Sequence, residues 1–181
     1  TRSQARPSSE ASEVYKGQDG DALLASVQGA GPMDVGGATD QARIVFFFDT
    51  GPGGSTTNPW GREIVTPVDA DYFLGSWTDN GGGFLLYEWN GGWDLIHASF
   101  DNPGGIDQDL SDSALGVARY RVPLARLGLT DTDSFDFDVV TTNDRGVGFE
   151  PGLDHLSNPA PATPDYDTAS VAGVYPTHTL S

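Results

Sequence analysis

The chain has no cysteine, one methionine (Met33) and one lysine (Lys16) among its 181 residues. Lack of cysteine removes disulfides, thiolate zinc sites and cysteine nucleophiles, and leaves the redox compartment open. Bases are scarce as a class: eight Arg and one Lys stand against 21 Asp and five Glu, a formal net charge of −17. A field of that sign repels phosphate backbones and anionic lipid surfaces, which argues against nucleic acid as a partner. The strongest apolar run, Ile44–Phe48, is far too short to cross a bilayer as a helix, so no membrane insertion is expected. Helix-forming stretches are nearly missing too. The chain opens on Thr1 with neither Met nor a charged-then-apolar leader, which fits a mature exported chain or a trimmed one and sets the expectation of an extracellular or cell-surface location.

What abounds is turn chemistry. The 24 Gly and 12 Pro punctuate short runs of Val, Ile, Phe, Trp and Tyr, the pattern of many short strands. Strands are predicted over Ala22–Gln28, Arg43–Asp49, Asp71–Trp77, Phe84–Trp89, Trp93–Ser99, Val117–Val122, Phe135–Thr142 and Val174–Leu180. Eight strands suffice for an all-β, two-sheet antiparallel sandwich of jelly-roll-like type. Breakers at Asp79–Gly83 and Asn90–Gly92 mark two hairpins, making residues 71–99 a three-stranded meander. Pro123 to Gly128 reads as one short helical turn plugging an end of the sandwich. No repeat of 20–50 residues is evident, which disfavours solenoids and propellers.

Alternation assigns the faces. Phe135, Phe137 and Val139 point one way and Asp136 and Asp138 the other, out to water; Ala118, Tyr120 and Val122 oppose Arg119 and Arg121. The two polar faces carry opposite charge, so Arg119 and Arg121 are expected to pair with Asp136 and Asp138 across a sheet. Residues 1–13 are polar and small, too poor in apolar surface to fold alone. They are expected to form an extended tail, held by its own domain or by a neighbouring molecule, ahead of a single sandwich domain over 14–181.

Six Asp-x-Asp pairs occur: Asp19/Asp21, Asp69/Asp71, Asp107/Asp109, Asp131/Asp133, Asp136/Asp138 and Asp165/Asp167. In a loop, alternate acids can converge on a hard cation, so calcium is the expected cofactor. Adaptation to salt, or a GC-rich genome, would produce the same bias. Asp69/Asp71, with Asp49 ending the preceding strand, and Asp19/Asp21 are candidate pairs of this kind; none fits an EF-hand loop. Trp89 and Trp93 flank a tight hairpin and are expected to pair across it. Trp60 lies in the long loop 51–67 beside Asn58 and Arg62, where an aromatic with a polar rim could contact a ligand. No catalytic motif is visible and no catalytic residue is assigned. His97, His155 and His178 are scattered, and with 21 Asp a Ser-His-Asp triad can be drawn almost anywhere. The expectation is a protein that does not catalyse.

Phe46–Ser99 resembles exported sandwich domains related to DOMON and family-9 carbohydrate-binding modules. The resemblance is carried by a strand ending in Asp49-Thr50-Gly51, a Gly-, Thr- and Asn-rich loop, Ala70-Asp71-Tyr72, and then Leu86-Tyr87-Glu88-Trp89-Asn90-Gly91. Val122-Pro123-Leu124 with Leu127-Gly128 resembles the strand-then-turn element, and the likeness covers about residues 43–144. It implies a jelly-roll-like sandwich with a ligand on a sheet face or loop end and structural calcium, for which it makes Asp49, Asp69 and Asp71 the first candidate cluster, ahead of Asp19 with Asp21; the family's haem branch fits poorly, since Met33 sits in a Gly/Pro-rich loop. Two functions follow as expectations. One is an assembly subunit of an extracellular filament or surface layer, exchanging its N-terminal tail as a strand and stabilised by calcium. The alternative is a calcium-dependent carbohydrate-binding module.

Overall fold

Ile44 to Phe48 are five consecutive buried residues, so the strand that carries them has protein on both sides. Successive side chains on a strand point to opposite faces. Ile44, Phe46 and Phe48 enter one core, and Val45 and Phe47 enter a second. This central strand organises the rest of the molecule. The structure is a computed structural model and describes residues 13–29, 32–33, 43–101, 105–142, 152–158 and 169–180; the side chains of residues 13–19 and 154 fall outside that description. The predicted tail, apart from Glu13, therefore lies outside the described residues.

In chain order the strands are β1 (Glu13–Asp19), β2 (Ala22–Gln28), β3 (Arg43–Asp49), β4 (Ile64–Val65), β5 (Tyr72–Trp77), β6 (Gly83–Trp89), β7 (Trp93–Ala98), β8 (Asp107–Asp109), β9 (Val117–Pro123), β10 (Ser134–Thr142), β11 (Gly152–His155), β12 (Ser170–Val171) and β13 (Thr177–Thr179). Sheet A runs β1-β2-β9-β8; sheet B runs β11-β10-β3-β5-β6-β7, with β13 also on β10. Pairing within both sheets is antiparallel, while β4 and β12 form a separate parallel pair. The expected all-β sandwich is what the chain adopts. The meander is β5-β6-β7, and Asn80 takes a left-handed φ of 51° at its first turn. The expected helical turn is a 3₁₀ turn over Leu124–Leu127, closed by Gly128 in the left-handed conformation. Short strands with weak apolar patterns (β1, β4, β8, β11 and β12) escaped the sequence reading.

Sheet A covers the inner face of sheet B. Leu23, Val27, Tyr120 and Val122 meet Phe46, Phe48, Leu74, Leu86 and Phe137 in the larger core. Phe46 and Tyr120 touch edge to face at 4.9 Å between centroids. The Tyr120 hydroxyl, whose pKa burial pushes up to about 12, hydrogen-bonds Ser76 Oγ at 2.8 Å. Gln108 Nε2 donates to the Trp77 carbonyl at 3.0 Å. These contacts seat β9 over β3 and β5, and β8 over the end of β5, so β1 falls on the opposite flank from β7.

The outer face of sheet B is covered by returning chain that includes the small β4–β12 pair. Trp60, Ile64, Val68 and Ala70 come from the 50–71 loop, and Ala172 and Tyr175 from the segment after β12. Gly75 makes this possible: an added Cβ there would fall inside the indole of Trp60.

Two expectations about charge are corrected. Arg119 and Arg121 do not meet Asp136 and Asp138, because β9 and β10 belong to different sheets. Arg119 instead pairs with Asp112 and Asp109, and Arg121 with Asp21, all on sheet A. Nor is Asp138 on a wetted face, for its exposure is 0%. Period-2 alternation marks a wet face only when one side of the sheet is open, and here both sides are covered.

Candidate functional site

Two polar constellations occupy the outer face of sheet B. The first is a row across its strand ends. Asp136 pairs with Asp49, and the β3–β5 register continues from Phe48↔Tyr72 to bring Asp71 beside Asp49. Trp89 N donates to the Asp71 carbonyl at 2.8 Å, and Trp89 pairs with Trp93. The transverse order is Asp136, Asp49, Asp71, Trp89, Trp93. Alternation puts these side chains on the outer face with Phe47 and Phe73. The indoles of Trp89 and Trp93 meet edge to face at 5.5 Å, the expected cross-hairpin pair.

Each acid has a distinct environment. Asp71 Oδ2 clasps the start of the long loop, accepting from Thr50 N at 2.7 Å, Gly51 N at 2.9 Å and Thr50 Oγ1 at 3.2 Å. Burial raises the Asp49 carboxyl above its ordinary range, and the charges of Asp71, Asp136 and Asp69 raise it further, against one lowering hydrogen bond from Gly51. Asp69 is exposed at the loop's return. The predicted cluster Asp49, Asp69 and Asp71 therefore does share one electrostatic neighbourhood, which Asp136 joins. Among the described residues, however, no three carboxylate or imidazole groups converge closely enough to hold a metal ion. Asp21 stands at the β1–β2 turn, 3.4 Å from Arg121, and the side chain of Asp19 lies outside the described residues.

Trp60, Asn58 and Arg62 are employed within the loop itself. Asn58 accepts from Arg62 N and donates to the Arg62 carbonyl, both at 2.9 Å. Trp60 packs on Gly75 and edge to face with Phe73 at 5.5 Å, while the Arg62 guanidinium sits 5.6 Å from the ring centroid. The indole is thus held between the sheet and a cation.

The second constellation is buried. His155 Nδ1 lies 3.1 Å from Asp138 Oδ2, and His155 Nε2 lies 2.9 Å from Ser170 Oγ. Ser170 Oγ also accepts from Gly152 N at 2.8 Å, so its hydroxyl proton is assigned to Nε2 and the ring proton to Nδ1. Asp138 further accepts from Val139 N, Ser157 N and Ser157 Oγ. The connectivity is that of a serine nucleophile relay. Access is not: His155 and Ser170 are each 2% exposed, and a Cβ on Gly152 would lie 2.5 Å from His155 Nε2 and 2.7 Å from Ser170 Oγ. With backbone packed against both reacting atoms, the arrangement clasps β10, β11 and β12 together. Sequence reading could draw this triad but not choose it from the many that 21 Asp permit.

Comparison with known proteins yields no further assignment: no protein-family model matches the chain, and neither curated proteins nor solved structures give a match.

Proposed function

We propose that the chain is a non-catalytic binding module that holds a glycan on the outer end of sheet B, at the row Asp136, Asp49, Asp71, Trp89 and Trp93. One observation carries the reading: three carboxylates stand in register beside two indoles in a row across adjacent strands at one end of the sheet. Indole faces stack on the C–H surface of a sugar ring, and carboxylates accept charge-assisted hydrogen bonds from neighbouring hydroxyls. Crowding of like charge around Asp49 adds a reason to bind, since hydroxyl donors or a cation would relieve the repulsion. The sealed Ser170–His155–Asp138 relay supports a structural and not a catalytic use of those residues. An acidic, lysine-poor surface suits an extracellular or cell-surface setting.

A glycan array followed by calorimetry, run with calcium and with EDTA, tests this. Binding that falls at least tenfold in Trp89→Ala and in Asp49→Asn supports it. Loss of binding in EDTA would put calcium between the acids and the sugar; unchanged binding in EDTA would mean direct carboxylate contact. No binding above background by the unaltered protein, or variants that bind as well as it does, overturns it.

A further inference from the structure

We propose that β7, the strand that ends sheet B among the described residues, takes up the segment Thr1–Ser9 of a second copy of this chain as an added strand, so that copies join head to tail. This goes beyond the glycan reading and does not depend on it.

Among the described residues β7 ends the sheet B order, with β6 as its one strand partner. Asp94 and Leu95 are exposed, Leu95 to 50%. An edge of this kind offers unpaired backbone N–H and C=O groups to an incoming strand. Charge selects the occupant. Glu88 and Asp94 stand directly opposite each other on β6 and β7, so the inner side of the edge carries two adjacent carboxylates. A second β7 would bring its own Asp94 and Glu88 against them. Residues 1–9 (TRSQARPSS) hold two Arg and no acid in a chain of net charge −17. Among the described residues, Arg43 pairs with Asp79 at 2.7 Å, Arg119 and Arg121 pair on sheet A, and Arg62 covers Trp60.

Spacing agrees with charge. In an extended segment Arg2, Gln4 and Arg6 share a face, while Thr1, Ser3 and Ala5 share the other. One register sets Arg2 and Arg6 along the Glu88–Asp94 side and the small residues along Leu95. Six extended residues ending at Arg6 span roughly 20 Å at about 3.3 Å per residue, the length of six-residue β7. Pro7 then ends the ladder, since it cannot donate. The segment precedes β1, the edge of sheet A on the flank away from β7, so the point from which it extends and the strand that would accept it lie on opposite flanks of one molecule. A contact between different surfaces propagates into open chains unless its rotation closes.

Sedimentation velocity of the full chain over a concentration series, at low and at 1 M salt, tests the proposal. The expected result is concentration-dependent association that weakens at least tenfold when residues 1–9 are deleted, in the pair Arg2→Glu and Arg6→Glu, and at high salt. Asp94→Lys alone should weaken it, and combined with the two Arg→Glu changes should restore it. A monomer at every concentration overturns the proposal, as does association that survives the deletion. Strengthening by Asp94→Lys alone would point to β7–β7 pairing and overturn it as well. Circular dichroism of each variant separates lost contact from lost fold.

Discussion

The two faces of sheet B are built on different principles. The inner face meets a second sheet through aliphatic and aromatic side chains, with the Ser76–Tyr120 hydroxyl pair among its polar contacts. The outer face is roofed by loops, and its burial encloses an aspartate, a histidine and a serine that bind each other and three backbone N–H groups. Apolar burial is non-directional and tolerates some repacking, whereas a buried polar network holds only while every member is satisfied. One sheet can thus present a forgiving core on one side and an exacting one on the other.

The sharpest test of that contrast sets one residue from each face side by side. Phe46→Ala should cost about 3–5 kcal/mol in urea unfolding through the cavity it leaves. Asp138→Ala should cost a comparable amount, about 3–5 kcal/mol, because it strips the acceptor from the His155 ring and from the Ser157 and Val139 donors. A loss below 1 kcal/mol for Asp138→Ala would show that the outer network is ornamental. Gly75→Val comes next, at about 1–3 kcal/mol, since the new side chain must expel Trp60; a red shift of tryptophan emission should accompany it. Ser170→Ala should cost about 1–3 kcal/mol by leaving Gly152 N and His155 Nε2 unpaired, while Ser76→Ala on the inner face, where Tyr120 keeps Gln108 as a contact, should cost nearer 1.

The smallest effect concerns the acid row and has the opposite sign. The Asp49 carboxyl is raised in the folded state above its ordinary 3.8, so its ionised form disfavours folding. That group's contribution is best below 3.8 and is lost as pH rises through the raised value. Asp49→Asn should therefore raise the unfolding midpoint slightly at neutral pH, and the gain should vanish in acid. A midpoint that falls at neutral pH would show that Asp49 is held by attractive partners and not crowded by its neighbours.

Much of the inner face could be read directly. The bounds of β2 and β3 match the predicted strands residue for residue, and the buried alternation of Phe135, Phe137 and Val139 opposite that of Ala118, Tyr120 and Val122 holds. The outer face misled the same rule. Asp136 and Asp138 alternate as a solvated face should, yet the roof that buries Asp138 comes from residues more than 15 positions away in the chain. A warning was present in adjacent apolar pairs such as Val139-Val140 and in the unbroken Ile44–Phe48 run, which signal a strand covered on both sides. The acid row was half visible: Asp49, Asp69 and Asp71 flank one loop, but Asp136 and the two tryptophans reach it only through strand register.

By itself the sequence determined that this chain is a β protein, where its central strands run, where its hairpins turn and that its surface is acidic. Those properties follow from side-chain periodicity, from the φ preferences of Asn and Gly and from charge count, all of which act over a few residues. Only the tertiary structure decided which acids stand together, which one is buried, and that a serine, a histidine and an aspartate meet behind a glycine. The reason is physical: burial and pairing energies depend on what long-range contacts bring across a face, and a strand carries no local mark of what will cover it.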